Sequence, residues 1–362
     1  MVVKGSMAMD IDTLLMISHY AGMREDLVQA GGGNSSVKTD DSRMLIKSSG
    51  CQLGDLSEQS GWSVVDCTLL ADFLKKHARD GFAEPGAVKK VMARALLQGG
   101  RPSIETFLHA VTDTVTLHAH PTLLNVLLSR KGGREILEQL FPDSVFVGYA
   151  TPGIELAMAF YNELRQHGTA DPFPCVFLQN HGLIVSGRTA DEVIERTEAV
   201  EAAVAVFLRA NDSACRRTYP LYQFLKAQGA IPASGLVCLS TDAFISEAGW
   251  RFQASGWPVA ISPDGLSYCG RAIFVMPENS PETALAEFRA KYGDPVVILQ
   301  HGHIYITGPS LHRIRDIEAN LRQSAQIALL SSPENVTALT EAQQDAILCS
   351  SAAAYKAGTG KS

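Results

Sequence analysis

The stretch TLHAHPTLLN, Thr116 to Asn125, holds two histidines separated by one alanine. Successive side chains of a β-strand point to opposite faces. A strand over residues 114–120 therefore sets His118 and His120 on one face, with Val115, Leu117 and Ala119 on the other. Two imidazoles side by side can reach one cation of Zn²⁺ size, which takes roughly three or four such ligands. Pro121 ends the ladder of this strand and suits the first turn of a helix over 122–130. A third histidine, His181 in QNHGL, lies on a different expected strand, as a closed site requires. The competing reading of each histidine is a packed side chain satisfied by backbone partners.

Outward from that stretch, an apolar rhythm over 10–28 predicts a helix, and a glycine-rich loop, Gly31–Ser36, precedes a hairpin over Val37–Lys47. Residues 63–78 and 86–98 read as helices. Pro102 and the potential cap Ser103 start a helix running to Thr112. SVFVGYA (144–150) and PCVFLQNHGLIVSG (174–187) read as strands, and a long helix over 189–210 follows, with Thr189 or Asp191 near its cap. Strands mixed with helices in a hairpin-like order predict an α/β layered fold.

A first domain over 1–229 and a smaller α/β domain over 230–345 are expected, because KAQGAIPASG has linker character. Strands are expected at RAIFVMP and PVVILQHGHIYITG. LQNHGLIVSG (178–187) and LQHGHIYITG (299–308) share their ends and a displaced His-Gly pair, each followed by a helix, which suggests a partial internal duplication. Residues 346–362 read as a frayed tail, and the terminal GTGKS lacks the strand and helix that a phosphate loop needs.

The 362 residues are 46% hydrophobic and carry a net charge of −7 without a basic stripe, so nucleic acid is excluded as a partner. No apolar run is long enough to span a membrane, and no signal-peptide core is visible. Seven cysteines, odd in number and never spaced as CxxC, predict reduced thiols in a cytoplasmic protein.

Six segments complete the pattern: GGGNSSVK (31–38), LIKSSG (45–50), PSIETFLHA (102–110), HAHP (118–121), GYATPGIEL (148–156) and NHGLIVSG (180–187). In this order they resemble the class II aldolase/adducin family over roughly residues 10–210. They most resemble the aldolase part of long, dehydrogenase-fused rhamnulose-1-phosphate aldolases. With no GxGxxG after a strand, a dehydrogenase is not expected. The resemblance implies a class II aldolase-like layered fold, a central mostly antiparallel sheet flanked by helices, with a smaller C-terminal α/β segment. It implies one divalent metal ion, Zn²⁺ foremost, on His118, His120 and His181. Glu105 stands at the position of the family's acid/base. Its plainer reading is a first-turn glutamate favoured by the helix dipole. Ser49, Gly50 and Ser103 match positions that hold a substrate phosphate. The amides of the glycine loop, Gly33 included, and the side chains of Asn34 and Ser35 can add donors. Tyr149 matches a tyrosine that reaches a neighbouring subunit's site as proton donor.

The sequence departs from the family in three places: Ile104 replaces a frequent hydroxyl, Gly31 a frequent threonine, and Pro152 a phenylalanine. His109 reads as a packed helix histidine, and the His301/His303 pair as structural. The implied activity is metal-dependent lyase chemistry, breaking or forming a C–C bond of a ketose phosphate or sugar acid through an enediolate. The alternatives are an epimerase or dehydratase on the same metal, or a non-catalytic adducin-like scaffold, against which the retained histidines argue. A homo-oligomer is expected, with a tetramer ahead of a dimer.

Overall fold

The computed structural model describes residues 2–166 and 175–349; the terminal GTGKS and the rest of the expected tail from 350 onward lie outside the described residues. The chain divides into two compact units, Met1–Asp212 and Ser213–Ser362, where the sequence predicts a division at 229/230. The helix Ser213–Ala227 goes with the second unit because it packs on that unit's strand Leu236–Leu239, and its Ala214 carbonyl accepts a bond from the Tyr305 hydroxyl.

The first unit is built on eight strands: β1 Asn34–Lys38, β2 Arg43–Lys47, β3 Trp62–Asp66, β4 Leu96–Gly99, β5 Val115–Ala119, β6 Val145–Val147, β7 Cys175–Leu178 and β8 Gly182–Gly187. Their order is β4-β3-β2-β1-β5-β8-β7-β6, and every neighbouring pair is antiparallel except β6–β7. Helices cover both faces. On one, Leu70, Leu74, Phe107, Leu156 and Phe160 pack against Met44, Ile46, Val65 and Ile184 of the sheet. On the other, the helices Val2–Gly22 and Ala190–Leu208 lie against β1, β5 and β8. This is the expected layered arrangement, α/β with a mostly antiparallel sheet. The apolar side of β5 explains itself: Val115, Leu117 and Ala119 are buried toward the helix Ala190–Leu208.

Two expected helices turn out to begin or end as strands. Residues 62–66 join the sheet as β3, and the helix starts only at Cys67, where the Asp66 carboxylate accepts from the Leu69 amide. The helix Pro85–Ala95 gives way to β4, because its last residues pair with β3. β6 is shorter than expected; it is an edge strand with one partner, and Tyr149 lies beyond its end. The first helix spans Val2–Gly22 instead of 10–28.

The second unit holds β9 Leu236–Leu239, β10 Phe274–Val275, β11 Val297–Gln300 and β12 His303–Gly308, in the order β10-β11-β12-β9. β10–β11 is parallel and the other two pairs are antiparallel. In order, direction and intervening helices this sheet follows the plan of β6-β7-β8-β5. Among the described residues no helix is long and apolar enough to cross a membrane, and none of the seven cysteines is in a disulfide.

Candidate metal centre

The three histidines meet at the open end of β5. His118 lies within β5, fully buried, and His120 is just past its end, its amide donating to Leu27 O at 2.8 Å. His181 sits in the tight turn between β7 and β8, which Asn180 enters with a φ of +54°. The Nε2 atoms of His118 and His120 are 3.1 Å apart, and those of His118 and His181 3.3 Å. Nitrogens about 2.0–2.1 Å from one tetrahedral zinc would stand roughly 3.3 Å apart, so the donor set fits such an ion. The Leu183 carbonyl accepts from His118 Nδ1 at 3.0 Å, which fixes the tautomer and leaves the Nε2 lone pair facing its neighbours. Burial lowers the pKa of His118, and burial with the neighbouring imidazoles pushes His120 down to about 3. Neutral imidazole is the ligating form.

Glu105 closes the fourth side. It occupies the N-cap position of the helix Thr106–Ala110, but its side chain makes no capping bond. Its carboxylate lies 3.2 Å from His181 Nε2 and 3.6 Å from His118 Nε2. Burial pushes this carboxyl up, yet the His118 and His181 imidazoles outweigh it and hold the group well below the usual carboxylate range. Asn34 is the register partner of His118 across β1–β5 and shares its face. From there the Asn34 amide donates to Glu105 Oε2 at 3.0 Å and to Ser103 Oγ at 3.1 Å. Ser103 Oγ also accepts from the Glu105 amide at 3.3 Å.

The glycine loop presses on the same place. Gly33 has a φ of +71°, and a Cβ there would stand 2.8 Å from His118 O. A Cβ on Gly32 would lie 2.9 Å from His120 Nδ1, so the histidine needs this position bare. Ser49 donates its amide to Arg101 O, and Ser48 bridges to Pro102, which sets the exposed Ser49 and Gly50 beside the segment carrying Ser103. Two expected site residues stand apart. Ser35 points to the other face of β1, where it is buried and bonded to Ser18 Oγ at 2.7 Å. Tyr149 is 65% exposed; its amide donates to Gln179 Oε1, and its side chain makes no hydrogen bond within the described residues.

One residue beside the site, Lys47, escaped the sequence, whereas His109 is the packed helix histidine expected. Lys47 is 2% exposed and donates from Nζ to Gly31 O at 3.2 Å and Cys51 O at 2.8 Å, tying the glycine loop to the loop after β2. Burial lowers its pKa. A lysine ending an apolar strand was the available signal. His109, fully buried under the site, shares a hydrogen bond of 2.8 Å between Nδ1 and Ser36 Oγ. In the second unit His301 faces Glu278 at 3.5 Å and His303 meets Trp250 edge-on. Neither joins a metal-competent group among the described residues, where His118, His120 and His181 form the one such set.

Comparison with known proteins places these elements in a family. The model of the Class II Aldolase and Adducin N-terminal domain matches residues 13–208, and the chain belongs to that family. Its fold is similar to three solved structures. The N-terminal class II aldolase domain of a conserved protein from Thermoplasma acidophilum is 24% identical, with a TM-score of 0.47 over 55% of this chain and 93% of that one. A sugar-phosphate aldolase from Thermotoga maritima is 17% identical, with a TM-score of 0.42 over 56% and 95%. The L-fuculose-1-phosphate aldolase from Thermus thermophilus is 16% identical, with a TM-score of 0.36 over 59% and 96%. No curated protein matches.

Proposed function

We propose that the chain is a metal-dependent lyase that cleaves or forms a C–C bond in a ketose phosphate or related sugar acid. The observation that carries this is the convergence of three Nε2 atoms with a carboxylate 3.2 Å from one of them. His118, His120 and His181 would hold one divalent ion, zinc by preference for such a nitrogen set. Once bound, the ion polarises a substrate carbonyl and offsets the negative charge that develops on its oxygen.

The remaining roles fall to the protein. In the cleavage direction a hydroxyl loses its proton as the C–C bond breaks, and a proton returns to the carbon left behind. Glu105 is the carboxylate held beside the histidines that can carry that proton. The Asn34 amide donates to that carboxylate, and Ser103 Oγ accepts from both the Asn34 side chain and the Glu105 backbone amide. The amides around Gly33 and the mouth formed by Ser49, Gly50 and Ser103 suit an anionic end of the substrate. Tyr149, exposed as it is, would serve as proton donor to a neighbouring subunit of a homo-oligomer. The test is metal analysis of the purified protein, followed by incubation with a panel of ketose phosphates and assay for a released aldehyde and triose phosphate. Product with unchanged carbon count would instead mark an epimerase.

A further inference from the structure

Within the same unit, against the residue that precedes Glu105, lies a cavity of about 990 Å³. That is the upper end of the size that small-molecule sites take. Both segments that carry the candidate catalytic residues wall it: Gly99–Pro102 and Ile104 lead into Glu105, and Thr151–Pro152 follows Tyr149. They touch each other there, since a Cβ on Gly153 would stand 2.9 Å from Ile104 Cδ1.

Most of the wall is hydrocarbon. Val88 and Met92 come from the helix Pro85–Ala95, Met158 from the helix Ile154–Gln166, and Phe82 and Ile104 from loops. Phe82 is 65% and Ile104 52% exposed in the single chain, which leaves apolar surface that an apolar ligand would cover. Two cations, Lys89 and Arg101, also line the cavity, and neither has an acidic partner among the described residues. Glu155, the acid on the wall, sits in the first turn of its helix, where the dipole accounts for it.

We propose that this cavity is the outer subsite for the part of the substrate that does not react, and that this part is a hydrocarbon body bearing an anionic group. The body lies against Phe82, Met92 and Met158, and the anion is paired by Lys89 and Arg101. Ile104 is then the specificity-determining residue, offering a methyl surface where a hydroxyl would call for a polar chain. This assignment rests on the lyase reading for the word substrate, but not for the binding itself.

Fluorescence titration of the full chain tests it, with anilinonaphthalene sulfonate as anionic probe and N-phenyl-1-naphthylamine as its neutral counterpart. Roughly one molecule of each probe should bind per chain. The double exchange Lys89→Glu, Arg101→Glu should weaken the anionic probe at least about tenfold and leave the neutral one within about twofold. Filling the cavity by Met92→Trp should weaken both, and Val88→Phe gives the same readout should Met92→Trp fail to fold. Unchanged binding of the anionic probe after the charge exchange, or of both probes after filling, overturns the proposal. In the synthetic direction, with dihydroxyacetone phosphate as donor, Val88→Phe should raise KM for phenylacetaldehyde and leave that for acetaldehyde. Equal effects on the two overturn the subsite. If no acceptor turns over, it is the lyase reading that has failed, and the titrations alone still decide the binding.

Discussion

Asn34 and His118 face each other directly across the β1–β5 ladder, and from that position the Asn34 amide donates to the Glu105 carboxylate at 3.0 Å. One register pair thus links a candidate metal-ligand position to the carboxylate proposed to work with it. Asn34→Ala should leave metal content intact while lowering kcat by about tenfold or more, as Glu105 loses its orientation. Asn34→Asp should do worse, because a second carboxylate would face the first. Steady-state kinetics beside metal analysis gives both readings, and normal kcat in Asn34→Asp would show that the contact does not matter.

His118→Ala removes the most buried of the three nitrogens. Metal binding should fall by about two decades or more, since loss of one of three protein ligands is costly. Elemental analysis after gel filtration measures it. Full occupancy in that variant would move the site elsewhere.

Glu105→Gln keeps shape and hydrogen bonding but cannot take up a proton. Metal should stay bound, and turnover should drop by about two to four decades. Unaltered turnover would reduce Glu105 to a helix-start residue.

If Tyr149 serves a neighbouring subunit, inactive Glu105→Gln and inactive Tyr149→Phe chains should regain activity when subunits are exchanged, because some sites then hold both native residues. Exchange without recovery would put Tyr149 in its own chain's site or in none.

A pH effect follows from a buried carboxyl on the helix Ala190–Leu208. Glu201 is 1% exposed, and its Oε1 has no hydrogen-bond partner. Burial, and then the charge of Asp26, push its carboxyl up from 4.5 to about 8. The folded state therefore keeps its proton where the unfolded chain has lost it. The stability this group allows is complete below about 4.5 and is lost as pH rises through about 8. Glu201→Gln should remove that decline and stabilise the protein at pH 9 by an amount on the order of a few kcal/mol. Denaturant midpoints at pH 6 and pH 9 check this; parallel curves for variant and wild type would contradict it.

Much of the site was legible because period and punctuation agree along β5: alternation sets His118 apart from Leu117, and Pro121 marks the end. What could not be read depends on pairing between distant strands. Alternation alone does not say that Asn34 lands opposite His118, nor that Ser35 then turns away to Ser18. β3 and β4 were hidden because each abuts a helix, and a short strand beside a strong helical rhythm contributes little periodicity of its own. Lys47 reaches two carbonyls brought near only by the fold of two loops.

The sheet of the second unit supplies a comparison already written into the chain. Val115 pairs with Gly187 as Leu236 pairs with Gly308, so the places of His118, His120 and His181 correspond to Leu239, Thr241 and Gly302. Asn180 and His301 occupy the same turn position with φ values of +54° and +51°. A four-stranded plan of this kind, with the same positive-φ turn, therefore stands without a metal-competent set of side chains among the described residues of the second unit. Chelation of the first unit should accordingly leave far-UV circular dichroism unchanged and lower Tm only by mass action, reversibly with added ion. The ion would be a guest of this architecture and not its keystone.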